Sequence, residues 1–121
     1  MALERGIYFA ENDPERLIEM AYYIHWELED LNMALEMYQK ASTAEDLNTG
    51  ANYNIATIYG SKESCEIVPH LAKYFRGCLL SVGKARHWCG DRFKNWAYSS
   101  VNYLKDHQKC PQVYEISFEG L

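Results

Sequence analysis

Apolar residues recur along this chain at three- and four-residue steps between short polar breaks, a spacing that predicts a series of amphipathic helices. Asn12, Asp13 and Pro14 mark a helix start, and Leu17, Ile18, Ala21, Tyr22, Ile24 and His25 form one broad apolar side from Glu15 to about Leu28. Glu29 and Asp30 end that run. Asn32 is placed as the cap of a second helix, Asn32 to Thr43, in which Met33, Ala34, Met37, Tyr38 and Ala41 repeat at helical intervals. A third, Thr49 to Tyr59, carries Ala51, Ile55, Ala56, Ile58 and Tyr59 and stops at Gly60. Ile67 opens a fourth, with Pro69 near its start and Leu71, Ala72, Tyr74, Phe75, Cys78 and Leu79 as its buried side. Gly83 and Gly90 bracket a segment readable as one helical turn or a loop. Asp91 is placed as the cap of a last helix, Arg92 to His107, presenting Phe93, Trp96, Ala97, Ser100, Val101, Tyr103 and Leu104.

The two ends depart from this rhythm. In Met1 to Glu11, Ala2, Leu3, Ile7 and Ala10 fit a short helix while Ile7, Tyr8 and Phe9 favour a strand, and the segment is read as helix. Val113 to Glu119 alternates Tyr114, Ile116 and Phe118 with Glu115, Ser117 and Glu119, the period of a short extended segment. The expected fold class is therefore all-α. It is one helical domain over 1–121, built from antiparallel hairpins in a repeat or an irregular bundle, with an extended C-terminal segment.

Ala34 followed four residues later by Tyr38 resembles the second helix of a tetratricopeptide repeat, with its A-x3-F pattern. Positions equivalent to the repeat's first helix fall at Ile18, Ala21, Tyr22 and His25, then at Asn52, Ile55, Ala56 and Tyr59, 34 residues on. They fall again at Trp96, Ser99, Ser100 and Tyr103 after a longer period, and Leu71 and Phe75 take a second set of second-helix positions. The similarity runs from Pro14 to His107 and departs from the family where Tyr22 and Leu71 stand in place of small residues. It implies a binding scaffold in which the first helix of each pair lines a groove. That carry-over places Glu19, Met20, Tyr23 and Glu27 beside Tyr53, Asn54 and Thr57 as protein-binding residues, with Trp26 and Trp88 as anchors if exposed. The expected function is protein–protein interaction, as an adaptor, a chaperone-like module or a small inhibitor acting by occlusion.

Charge adds an asymmetry to this picture. Met1 to Glu66 holds 13 acidic and 4 basic residues, whereas Ile67 to Leu121 holds 4 acidic and 8 basic, so an acidic half precedes a mildly basic one. Such halves could meet head to tail in a homo-oligomer. Within the basic half, Lys73, Arg76, Lys84, Arg86, Arg92 and Lys94 lie near aromatic residues, the combination that tracks phosphates and stacks bases. A nucleic-acid-associated module is thus the alternative function.

Catalytic chemistry has little to stand on, and no enzyme is expected. Cys65 with His70, or Cys78 with His87, lacks an orienting third group, and there is no phosphate-binding glycine loop. His87, Cys89, His107 and Cys110 supply zinc-ligand types without C-x2-C spacing, so neither a metal nor a cofactor is expected. The longest apolar runs fall far short of a membrane span, and Met1 to Asn12 lacks the pattern of an export signal. A cytoplasmic protein with four reduced cysteines and no disulfides is the resulting expectation.

Overall fold

The computed structural model describes residues 13–80 and 87–107. Within them lie five helices: α1 Pro14–Trp26, α2 Leu31–Ala44, α3 Thr49–Ser61, α4 Ile67–Leu80 and α5 Asp91–Asp106. No strand occurs among the described residues, and the fold is all-α. The ambiguous segment Met1 to Glu11 and the extended segment Val113 to Glu119 lie outside the described residues.

Short side chains at the breaks set the helix starts. Asp13 caps α1 by accepting the Arg16 backbone N–H, and Pro14 sits in the first turn where no N–H is needed. Asn48 caps α3, its Oδ1 accepting the Ala51 N–H at 2.9 Å while its amide donates to Glu45. Two caps differ from the sequence expectation. Asp30, not Asn32, caps α2, accepting the Met33 N–H at 3.0 Å. Gly90 rather than Asp91 is the N-cap of α5; Asp91 is the first helical residue, where its charge faces the positive end of the helix dipole.

The two hairpin turns share a device. Glu29, between α1 and α2, and Glu63, between α3 and α4, both hold positive φ, 54° and 51°. They are 34 residues apart. At each, the chain folds back on the preceding helix end: Asp30 N–H reaches the Ile24 carbonyl at 3.2 Å, and Ser64 N–H reaches the Tyr59 carbonyl at 3.0 Å. A left-handed conformation costs a residue bearing a Cβ about 1 kcal/mol. Glu29→Gly is therefore expected to raise stability by roughly 0.5–1 kcal/mol, read as an increase in the urea midpoint.

Two cores stack along the chain and meet at α3. The first joins Leu17, Ile18, Ala21 and Ile24 of α1 to Ala34, Met37, Tyr38 and Ala41 of α2 and to Ala51, Ile55 and Ile58 of α3. Ala21, Ala34 and Ala41 are fully buried and let the helix backbones approach closely, while Tyr38 fills the space between them. Tyr22, expected on the apolar side, is 47% exposed, so α1 packs without having to spread around its ring. The second core joins Ala56 to Ile67, Val68, Leu71, Tyr74 and Phe75 of α4 and Ala97, Val101 and Leu104 of α5. Gly60 against Ile67, Tyr59 against His70 and Tyr53 against Tyr74 show α3 and α4 running antiparallel. Leu79, expected in this core, is exposed, and Ala72 and Cys78 are half-buried.

Helix α5 joins the second core differently. Its backbone stands away from α3 and α4, and large rings bridge the distance. Tyr53 is the hub, with ring centroids of Phe93 at 5.0 Å, Trp96 at 5.1 Å, Tyr74 at 5.4 Å and Trp88 at 5.6 Å. Rings of this size contribute large buried areas and favour such tilted and edge-on contacts. Residues 87–89 form a 3-10 turn ahead of α5. That turn carries a correction to the sequence reading. Cys89 is disulfide-bonded to Cys78, with a Cα–Cα distance of 5.5 Å, and Cys65 is disulfide-bonded as well. Residues eleven apart in sequence thus become neighbours because α4 ends beside the turn that opens α5.

Candidate binding sites

Helix α1 presents one continuous exposed stripe. Glu19, Tyr22, Tyr23, Trp26 and Glu27 fall at the i, i+3, i+4, i+7 and i+8 positions of a single face, and all are exposed. Tyr23 and Trp26 are 51% and 54% exposed, and Leu28 at the helix end is 48% exposed. The rings are not loose. Trp26 stacks on His25 at 4.4 Å and lies 6.1 Å from Tyr22. His25 is itself buried, its Nδ1 3.4 Å from the Tyr38 hydroxyl, so the stripe is anchored on the first core. Met20 is half-buried against the same core.

The remaining residues expected to bind protein divide. Tyr53 is the ring hub described above, and Trp88 packs against Gly50, Tyr53 and Phe93 while its carbonyl accepts the Tyr74 hydroxyl at 2.5 Å. Asn54 is buried, and its amide donates to the Gly50 carbonyl at 2.8 Å. Tyr53 and Trp88 pack on the second core, Asn54 bonds within its own helix, and none of the three joins the α1 stripe. Thr57 alone opens onto a cavity.

That cavity, about 440 Å³, lies between α3, the α3–α4 turn, the start of α4, and α5. Its size falls within the range of small-ligand sites. Thr57, Gly60, Ser61, Glu63 and Ser64 form one side, Trp96, Ser99, Ser100 and Tyr103 the other, with Ile67 and Leu104 beneath. The four α5 residues are the third set of first-helix repeat positions, which the sequence reading had not placed in a site. Across the mouth, the Tyr103 hydroxyl donates to Glu63 Oε1 at 2.8 Å, and this bond and the carboxylate charge hold the phenol above its ordinary range.

The basic candidates are scattered. The Lys73 ammonium pairs with Asp46 at 2.7 Å, the Arg92 guanidinium lies 5.4 Å from the Phe93 ring centroid, Arg76 is exposed and Lys94 is half-buried. Lys84 and Arg86 lie outside the described residues. Of the zinc-type ligands, Cys89 is taken by its disulfide, and the His107 Nδ1 donates to the Tyr103 carbonyl at 2.9 Å. Cys110 lies outside the described residues. Among the described residues no group of three ligand-type side chains converges.

Buried polar groups elsewhere are satisfied within the fold. Asn52, fully buried, donates its amide to the Asp46 and Asn48 carbonyls at 3.0 and 2.9 Å and accepts His70 Nδ1–H at 3.1 Å. Burial lowers the His70 pKa, with Lys73 adding to the effect and Glu66 opposing it; burial also lowers that of His25. Both histidines are neutral in either state well above 6.5, so they contribute no pH dependence there. As pH falls through 6.5, the unfolded chain takes up protons that the folded chain refuses, and stability drops until the lower folded values are reached. Stability is expected to fall from pH 7.5 to 5 by at most about 1.4 kcal/mol per pH unit for each histidine, read as a falling melting temperature. In circular-dichroism melts, His25→Gln should flatten that slope.

Comparison of the chain with protein-family models, curated proteins and solved structures finds no match.

Proposed function

We propose that this protein acts by binding another protein through the exposed face of α1, on a scaffold of tetratricopeptide-like helical hairpins. One observation carries the reading: Tyr22, Tyr23, Trp26 and Leu28, four large apolar side chains, stand about half exposed at one helix end. Aromatic rings in such a cluster are the usual anchors of protein interfaces, and their acidic rim of Glu19, Glu27 and Glu29 favours a partner surface both apolar and basic. Support for the scaffold comes from the 34-residue recurrence of the left-handed turn residues Glu29 and Glu63. Adaptor, chaperone-like and inhibitor roles all use such a face, and binding by occlusion needs nothing more from the chain.

The test is affinity capture with the wild type and with Tyr23→Ala, Trp26→Ala, both checked by circular dichroism. A specific partner held by the wild type and lost from the double variant is the expected result. Equal capture by the two folded proteins would overturn the proposal. Sedimentation at rising concentration separates a second copy of the chain, joined through its acidic and basic halves, from a different partner.

No helix among the described residues is long and apolar enough to cross a membrane. The expectation of reduced cysteines, drawn from the lack of an export-signal pattern, is corrected by the disulfides at Cys65, Cys78 and Cys89. They favour work in an oxidising compartment.

A further inference from the structure

Helix α4 ends in a second exposed apolar patch. Arg76, Leu79 and Leu80 fall at the i, i+3 and i+4 positions of one face, and all three are exposed, the leucines 51% and 68%. Apart from Tyr103, whose hydroxyl is bonded to Glu63, the large apolar side chains exposed among the described residues belong either to this patch or to the α1 end. We infer that the two patches are the two halves of one contact: the α1 face of one copy of this chain docks on the α4 end of a second copy, which takes the α1 face as a protein-binding surface and names its partner. Because one patch meets a different patch, the contact is heterologous and every copy carries both halves.

Charge selects this pairing over the others. Among the described residues no ion pair neutralises Arg76, nor Glu19, Glu27 and Glu29 around the aromatic cluster. The nearby cations do not alter that balance: Lys73, one turn before Arg76, is paired with Asp46, and Arg16 lies beside Asp13 at the opposite end of α1 from Trp26. Two α1 faces brought together would oppose carboxylates with carboxylates, and two α4 ends would oppose Arg76 with itself. Only α1 against α4 puts opposite charges at the rim of an apolar contact. The centre of that contact is also well matched, with the rings of Tyr23 and Trp26 on one side and two leucines on the other. One chain cannot make it alone, since α1 packs mainly on α2 in the first core, α4 packs mainly on α3 in the second, and both patches face solvent.

Sedimentation equilibrium of the full chain, run without reductant, is the test. The wild type is expected to gain average mass with concentration, with a Kd on the order of 0.1 mM, the strength of a small surface contact. The double variants Tyr23→Ala, Trp26→Ala and Leu79→Ala, Leu80→Ala each remove one half, and each alone should stay monomeric. Mixed in equal amounts they should associate again, because the α4 end of the first still fits the α1 face of the second. Arg76→Glu, an exposed single change that leaves the helix packing alone, should weaken self-association at least about tenfold. A wild type that stays monomeric at ~1 mM, association that survives in either double variant, or a mixture that restores nothing would overturn the inference. The reading of α1 as a binding face fails or stands separately: capture of a different protein that is lost with Tyr23→Ala, Trp26→Ala keeps it even if the wild type never self-associates.

Discussion

Gly77→Ala is expected to destabilise the protein by about 2 kcal/mol, although alanine is the better helix former by about 1 kcal/mol. Gly77 is buried in α4 where it crosses the connection between α2 and α3. A Cβ there would press on the Leu47 carbonyl oxygen and come within 2.8 Å of Thr49 Cγ2. One of those neighbours is backbone, and Thr49 is the first residue of α3, so neither can move without moving the helix start. Overpacking costs of about 1–3 kcal/mol, at the upper end for backbone contacts, outweigh the propensity gain. Gly60→Ala is the internal control. Its Cβ would meet the flexible end of Ile67 at 3.2 Å and the Trp96 ring at 3.6 Å, beside the cavity, so propensity should win and stability should hold or rise. Urea titration of the two variants reads opposite signs if the close approach at Gly77 is real, and the same sign if helix propensity alone decides.

What could be read from the sequence follows what is local. Asp13 and Pro14 announce α1, and the buried positions Ala34, Met37, Tyr38 and Ala41 of α2 match the periodic residues. Thr49 to Tyr59 is likewise right to within two residues of α3. The cap of α2 slipped by two residues because Asp30 and Asn32 are equally good cap formers. Only the left-handed Glu29, which folds the turn back on α1, selects Asp30. Tyr22 was assigned to the core because its spacing fits both sides of the boundary between the buried and exposed faces. The reach of α5 was beyond local reasoning altogether. Its distance from α3 depends on how four rings around Tyr53 fit together, and that distance opens the cavity and brings Cys89 to Cys78. Thr57, read from the sequence as a groove residue, lines the cavity, while Trp96, Ser100 and Tyr103 across from it were seen only as a repeat pattern.

Replacing Cys78 and Cys89 together with serine is expected to cost about 3 kcal/mol, the chain entropy released when a loop of eleven residues is no longer closed in the unfolded state. For a domain of this size that is a fall in melting temperature of roughly 10–20 °C. The loss should not be spread evenly. The link ties the end of α4 to the turn carrying Trp88, whose ring packs on Gly50 and Tyr53 and whose carbonyl takes the Tyr74 hydroxyl. Helix α5 makes few close backbone contacts with its neighbours and depends on those rings, whereas α1 and α2 meet through alanines in a core with no part in the disulfide. In the double variant, native-state hydrogen exchange should therefore show protection falling first in α5 and residues 87–90, with α1 and α2 close to wild type. A uniform loss of protection across all five helices would mean that the two cores unfold as one unit. Unchanged stability would mean that the aromatic cluster holds α5 without the covalent tie.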